Sequence, residues 1–222
     1  MKSRRKAGCA VLVAGFVMLL AATLLYSANL AEDRNAGTQA KHLLTALQSA
    51  LTNNDPQADT HSDLTHRGSL PDGYESSVVS GPQSGTEPTE ALPEVSKCIG
   101  FIRLPTVGIE LPVLSEWSYD HLAIAPCRQF GSPDTRDLVI AAHNYRSHFG
   151  RLDKLSPGDT VSFTDLSGTV FLYSVEAVRT VSPTEVGTVK NSGSDLVLYT
   201  CNFNGNKRVA VFCSLYVPAE TA

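Results

Sequence analysis

No Cys-x-x-Cys pair occurs in the 222 residues, and Cys9, Cys98, Cys127, Cys201 and Cys213 stand at no spacing that suits zinc or an iron–sulfur cluster. A metal is therefore not expected. An excess of positive charge is missing too: 18 Lys and Arg against 22 Asp and Glu give a formal net charge of -4, which offers no electrostatic footprint for nucleic acid. Nor is there an internal repeat, which excludes a solenoid or propeller. With 42% hydrophobic residues the chain can fill one ordinary core, typically of about 100 to 200 residues, together with accessory segments. Two large domains do not fit.

What is present begins with charge and apolarity at the N-terminus. Residues 1–6 read Met-Lys-Ser-Arg-Arg-Lys, and residues 7–26 are uncharged and mostly apolar. At about 1.5 Å rise per residue, such a run crosses a hydrocarbon layer ~30 Å thick. Lys2, Arg4, Arg5 and Lys6 precede it while Glu32 and Asp33 follow, so the positive-inside rule places a basic tail (1–6) in the cytoplasm. A single-pass anchor (7–26) then puts the remainder outside the cell membrane. A cleaved signal peptide is the competing reading, but its apolar region is usually about 7 to 15 residues and no small-x-small cleavage site follows Tyr26. Leu43, Leu44, Leu47, Ala50 and Leu51 recur at helical spacing, predicting a juxtamembrane helical segment (27–52) lying on headgroups or against a partner helix. Residues 53–95 are rich in Pro, Gly, Ser, Thr, Asp and Glu and too poor in large apolar side chains to offset ordering, so they read as a flexible linker. His61 and His66 in that linker read as solvated.

From residue 96 the texture becomes β-rich. Short apolar runs over 99–104, 107–113, 137–142, 160–163, 170–178, 195–200 and 207–215 are separated by turn residues, and long helical periodicity is absent. This is the pattern of an all-β barrel or sandwich occupying 96–222, with short helical turns near 119–123 and 150–155.

The chemistry gathers near the C-terminal end. Asn204-Gly205 between two β-like runs is a strong signal for a two-residue type I′ hairpin turn, and a turn centred there sets Cys201 directly opposite Arg208. A cation beside a thiol favours the nucleophilic thiolate, and a guanidinium can donate to an oxyanion. Spacing alone leaves Cys201 equally well explained as a buried small hydrophobe; the opposing Arg208 tips the reading toward a nucleophile. Cys213 falls on the apolar face of its strand with Val209, Val211 and Leu215, and reads as core. A nucleophilic cysteine needs a proton partner, and histidine suits the task. His143 directly follows the apolar run 138–142, whereas His121 reads as a helix cap or packing residue and His148 as a solvated loop residue. His143 leads. Whether Cys98, Cys127 and Cys213 form disulfides is not legible from spacing.

These pieces resemble one family. Leu198-Tyr199-Thr200-Cys201 followed by Arg208 is similar to the sortase signature T-L-x-T-C with its downstream arginine. Ala142-His143-Asn144, with Pro157-Gly158-Asp159 further on, resembles the sortase segment in which the catalytic histidine ends a strand. Gly100-Phe101-Ile102-Arg103-Leu104-Pro105 is similar to the family's opening strand. The resemblance implies a closed eight-stranded sortase barrel with short helices, and a cysteine transpeptidase that needs no metal or organic cofactor. It implies Cys201 as nucleophile, His143 as acid and base, Arg208 as oxyanion and substrate holder, and Thr200 as a substrate-positioning residue. The partners implied are surface proteins with a C-terminal LPxTG-like sorting motif and an amine acceptor, from a peptidoglycan precursor or a pilin lysine, at the surface of a Gram-positive cell.

Two positions depart from the family pattern: Ala142 stands where glycine is common and Val197 where the first threonine of the signature sits. Neither removes a catalytic group. Residues 181–194 have no room for the large helix of class B sortases, and no aromatic-acidic lid motif of class C precedes the barrel, so a small housekeeping-type or class D-like enzyme is implied. Two other readings stand beside it. One is a peptidoglycan-cleaving cysteine hydrolase, whose nucleophile usually starts a helix, where here Cys201 precedes a turn. The other is a catalytically silent or autoinhibited surface-binding module that keeps the barrel.

Overall fold

The computed structural model describes residues 2–53, 95–202 and 204–216. The linker expected over 53–95, with His61 and His66, falls almost wholly outside them. Eight strands run in chain order as β1 (Cys98–Leu104), β2 (Ile109–Leu114), β3 (Cys127–Phe130), β4 (Leu138–Ala141), β5 (Thr160–Asp165), β6 (Val170–Val181), β7 (Leu196–Cys201) and β8 (Arg208–Leu215). They close into a barrel in the order β1-β2-β3-β4-β7-β8-β6-β5. Closure pairs every strand on both edges and leaves no edge open to aggregation.

Alternation along the strands sorts side chains between the interior and the outer surface. Leu138 and Ile140 of β4, Leu196 and Leu198 of β7, and Val211 and Cys213 of β8 are all fully buried in the main core. Burying each of the larger side chains is worth roughly 1.5–3 kcal/mol. The opposite face of the same three strands carries a smaller apolar cluster of Val139, Val197, Ala210 and Phe212, covered by Val181 and by Val189 of the short helix α3 (Val186–Lys190). Because α3 follows Pro183 and spans only five residues, it has the small size expected of this segment.

One strand lies outside the expected set. Cys127-Arg128-Gln129-Phe130 is too short to show alternation, and its extended state comes from pairing with β4 (Cys127↔Ala141, Arg128↔Ile140) and a single contact with β2. The turn near 119–123 is a one-turn helix, α2 (Tyr119–Leu122), whose Ser118 hydroxyl accepts the His121 N–H at 3.0 Å. A 3₁₀ turn at Leu152–Lys154 occupies the second expected position.

The N-terminal helix differs most from expectation. The apolar run and the segment expected as a separate juxtamembrane helix form one unbroken helix, α1 (Lys2–Asn53). Its first half is long and apolar enough to cross a membrane, and the side chains described there, such as Leu12, Phe16 and Leu25, stand exposed. Its second half buries Ala36, Ala40, Leu43 and Leu47, a stripe at three- and four-residue spacing that packs on β2 of the barrel. Gln48 donates to Glu110 Oε1 at 3.0 Å, and Arg103 pairs with the same carboxylate at 3.1 Å. The amphipathic stripe read from the sequence thus has the chain's own barrel as its partner.

Candidate active site

Strands β4, β7 and β8 bring the proposed reacting groups to one level. β4 and β7 run parallel in a register that ends at Ala141↔Tyr199. Continued two residues past its last pair, the same register sets His143 level with Cys201. β7 and β8 run antiparallel, and their last pair is Cys201↔Arg208. Paired residues share a face, so Cys201 and Arg208 lie side by side, beyond the row Val139, Val197 and Phe212 on the outer surface, and His143 follows the end of β4 at their level.

Two side-chain bonds carry the β4–β7 register past the end of the ladder. Thr200 Oγ1 donates to the Ala142 carbonyl at 2.8 Å, and Asn144 Nδ2 donates to the Asn202 carbonyl at 3.3 Å, flanking the His143–Cys201 level on both sides. The far end of β7 is tied as firmly: Asp195 accepts from Arg136 Nε at 2.8 Å and from the Leu215 N–H at 2.6 Å. Thr200, expected to position substrate, is buried with its hydroxyl committed to Ala142, and its side chain lines a cavity of about 420 Å³. Cys201, Asn202, Asn144, Phe149 and Val209 line the same cavity; His143 and Arg208 lie outside it.

The hairpin has the expected register but another turn. A two-residue type I′ turn would place Asn204 and Gly205 alone between the last bonded pair of the hairpin. Instead the Gly205 N–H donates to the Asn202 carbonyl at 2.9 Å, and the Asn202 N–H donates to Lys207 O at 3.0 Å. A longer loop centred on the same bond leaves the strand pairing unchanged. Arg208 rests against this turn, its Nη1 donating to the carbonyls of Gly205 (3.3 Å) and Lys207 (3.2 Å).

Burial separates the cysteines. Cys127 and Cys213 are fully enclosed free thiols, each pushed up to about 12 by desolvation and thus held in the unreactive form. Cys201, also a free thiol, is half-buried at the mouth of the barrel. Tyr199, one pair inward on the same face as Cys201, donates to Gln129 Oε1. Burial pushes its phenol up to about 12, and the nearby Arg208 guanidinium pulls the other way.

The histidines separate as well. His143 is half-buried; desolvation holds its imidazole below the ordinary range, opposed by the carboxylate of Glu32 on α1. His121 Nδ1 lies 2.9 Å from the Glu116 carbonyl within the α2 turn, a packing role as expected. His148 corrects the reading of a solvated loop residue: it is fully buried, with the backbones of Ile124 and of Ala36 on α1 closing over its ring. Desolvation, with His143 nearby, pushes its pKa down to about 4. Its burial comes from the tertiary packing of α1 and of the segment near Ile124 over the 144–150 loop, which no local pattern announces.

Sequence reasoning also missed Asn144, Tyr199 and Asp33. Tyr199 was within reach of alternation with Cys201, and Asn144 adjoins His143. Nothing local marks Asp33.

The sortase domain matches the chain over residues 102–216. Among solved structures, a sortase A from Listeria monocytogenes is 23% identical, covering 55% of this chain and 88% of that one with a TM-score of 0.50. A sortase D5 transpeptidase from Clostridium perfringens is 22% identical, covering 54% and 79%, with a TM-score of 0.49. A Streptococcus pneumoniae sortase C is 22% identical, covering 81% and 89%, with a TM-score of 0.49. At its level of identity the Listeria structure speaks to the fold alone. No curated protein matches the chain.

Proposed function

The chain belongs to the sortase family of cysteine transpeptidases, and from that premise we propose that it cleaves an LPxTG-like sorting motif through a thioacyl intermediate on Cys201 and transfers the acyl group to an amine. The observation that carries the reading is the Cys201↔Arg208 pair, with His143 two residues past the last β4–β7 pair.

In the proposed cycle the Cys201 thiolate attacks the threonine carbonyl of the motif. Arg208 leaves the carbonyls of its own turn and donates to the oxyanion as it forms. Collapse breaks the C–N bond, and His143 delivers the proton that lets the C-terminal piece leave as a neutral amine. The acceptor amine then attacks the thioester, gives up a proton to His143, and leaves the protein joined by a new amide with Cys201 restored. Every step balances without metal or cofactor. Thr200 acts by holding the end of β7 against Ala142 and by lining the cavity beside Cys201.

The substrate surface we infer is the open groove of Ser115, Trp117, Gln129 and Phe130, which reaches the Cys201 row through the Gln129–Tyr199 bond, with α3 on the other side. Exposed Trp117 stacks edge-on with Tyr119 there, with centroids 5.1 Å apart. Substrates are surface proteins or pilins carrying the motif, and the acceptor is a peptidoglycan-precursor amine or a pilin lysine. Helix α1 anchors the chain in the cell membrane with residues 1–6 inside and the barrel outside, joined by the 53–95 linker.

Intact-mass spectrometry of the full chain in detergent micelles, incubated with LPxTG-like peptides, tests this. An adduct on the parent chain, absent from Cys201→Ala and discharged by an added amine, is the expected result. A folded, reduced chain that forms no adduct across a broad peptide set points to a silent module instead.

A further inference from the structure

The loop that follows His143 is gripped by the membrane helix. Asp33 of α1 accepts the backbone N–H of Arg146 at 3.2 Å on Oδ2 and that of Ser147 at 3.0 Å on Oδ1. The Ser147 hydroxyl lies 2.5 Å from Oδ1 and 2.9 Å from the Asp33 carbonyl. Asp33 sits more than a hundred residues earlier in the chain, so the contact is purely tertiary.

The gripped segment is a tight unit. The N–H groups of His148 and Gly150 both donate to the Tyr145 carbonyl, at 3.0 and 2.8 Å, and the Phe149 N–H donates to the His143 carbonyl at 3.1 Å. The rings of His143 and Tyr145 lie 4.8 Å apart, tilted by 35°, and those of Tyr145 and His148 5.5 Å apart, tilted by 50°, so the three rings follow one another along the loop. A displacement at Arg146 and Ser147 therefore reaches the His143 backbone and ring within one turn of chain. The approach of the helix is close: a Cβ on Gly37 would lie 2.7 Å from Ser147 Cβ, so only glycine lets α1 sit at this height. His148, enclosed beneath the same face of α1, fixes the underside of the loop.

We propose that Asp33 is a positioning residue for His143, so that the helix anchoring the enzyme in the membrane also completes the geometry of its acid and base. The proposal rests on the reading of His143 as the proton-transfer partner of Cys201. The barrel fixes one end of the loop, through Thr200 and Asn144; Asp33 fixes the other. Burial opposes ionisation of Asp33, but the bonds from Ser147 and Arg146 outweigh it and hold its carboxyl below the usual carboxylate range, in the form that accepts both N–H groups. Seven residues separate Tyr26, the end of the apolar run, from Asp33, which at 1.5 Å per residue is about 10 Å. The active-site loop is thereby held close to the membrane surface, where anchored substrates lie.

The test uses the full chain in micelles, with adduct formation on Cys201 measured against peptide concentration and amide exchange followed at Arg146 and Ser147. Asp33→Ala is expected to slow acylation at saturating peptide by about ten- to a hundredfold, with KM within twofold of the parent, and to speed exchange at both amides. Asp33→Asn, which keeps an oxygen acceptor, recovers part of the rate and remains the informative variant if Asp33→Ala loosens the helix altogether. Gly37→Leu, which pushes the helix off Ser147 while Asp33 stays, reproduces the loss, and Thr38→Ala on the exposed helix surface does not. Acylation at the parental rate in Asp33→Ala, while the parent forms its adduct, overturns the proposal and leaves the transpeptidase reading standing. A loss carried wholly by KM overturns it as well. A parent chain that forms no adduct overturns the transpeptidase reading and the proposal together.

Discussion

His143 is held from two sides that differ in kind. Toward Cys201 it is set by the β4–β7 ladder and by the Thr200–Ala142 and Asn144–Asn202 bonds that prolong it. Toward α1 its loop is set by one carboxylate, one glycine and one buried histidine. The ladder is cooperative, since slipping one pair would turn every side chain of β7 to the wrong face. The helix contact has no such redundancy, so it is the side at which geometry is most easily changed. With a robust barrel on one side and an adjustable loop on the other, the proposed action of α1 on His143 would leave the fold undisturbed.

The largest effect should come from the barrel side. Arg208→Lys keeps the charge but loses the forked donor geometry, and acylation should fall by about 10²–10³-fold while the melting temperature barely moves. Stopped-reaction mass spectrometry checks the rate. A parental rate would mean that charge alone, without the Cys201↔Arg208 alignment, suffices.

The helix side should respond to pH. The unfolded chain protonates His148 near its ordinary value of 6.5, whereas the folded chain does so only near 4. Stability from this group is therefore complete above pH 6.5, declines as pH falls from 6.5 to 4, and is then lost by roughly 3 kcal/mol. Asp33, whose carboxyl is lowered, adds a second loss only as pH falls below its ordinary value of 3.8. Melting curves across pH 4–8 should show the first decline in the parent and a flatter profile in His148→Leu. Equal profiles would break the contrast by showing that the loop opens without cost.

A smaller effect belongs to the ladder again. Thr200→Val preserves shape but leaves the buried Ala142 carbonyl without its donor, at a cost of about 1–3 kcal/mol by chemical denaturation. Acylation should fall as well, because the β4–β7 register is no longer held past its last pair. Unchanged acylation with reduced stability would make Thr200 a structural residue only.

Legibility followed the same division. The pairing of Cys201 with Arg208 was readable because a hairpin's register is local arithmetic about its turn, and it survived a turn of a different type. His143 was placed by following its apolar strand, and its alignment with Cys201 needed the parallel β4–β7 pairing. β3 escaped notice because four residues without alternation carry no signal until neighbours pair with them. His148 was misread because a histidine between Ser147 and Phe149 looks like any loop residue until a helix from the far end of the chain covers it.

The sequence by itself determined a strongly apolar N-terminal run, a β-rich C-terminal half with family motifs in order, and the strand and cross-strand partner of Cys201, because periodicity and short-range pairing are encoded in consecutive residues. The tertiary structure alone decided that α1 continues unbroken onto the barrel, that Asp33 meets the amides of Arg146 and Ser147, and that His148 is buried. Each of those depends on surfaces brought together from 62 residues apart at Gln48 and Glu110 to 114 at Asp33 and Ser147, where shape, burial and hydrogen-bond geometry settle the contact and no local pattern can announce it.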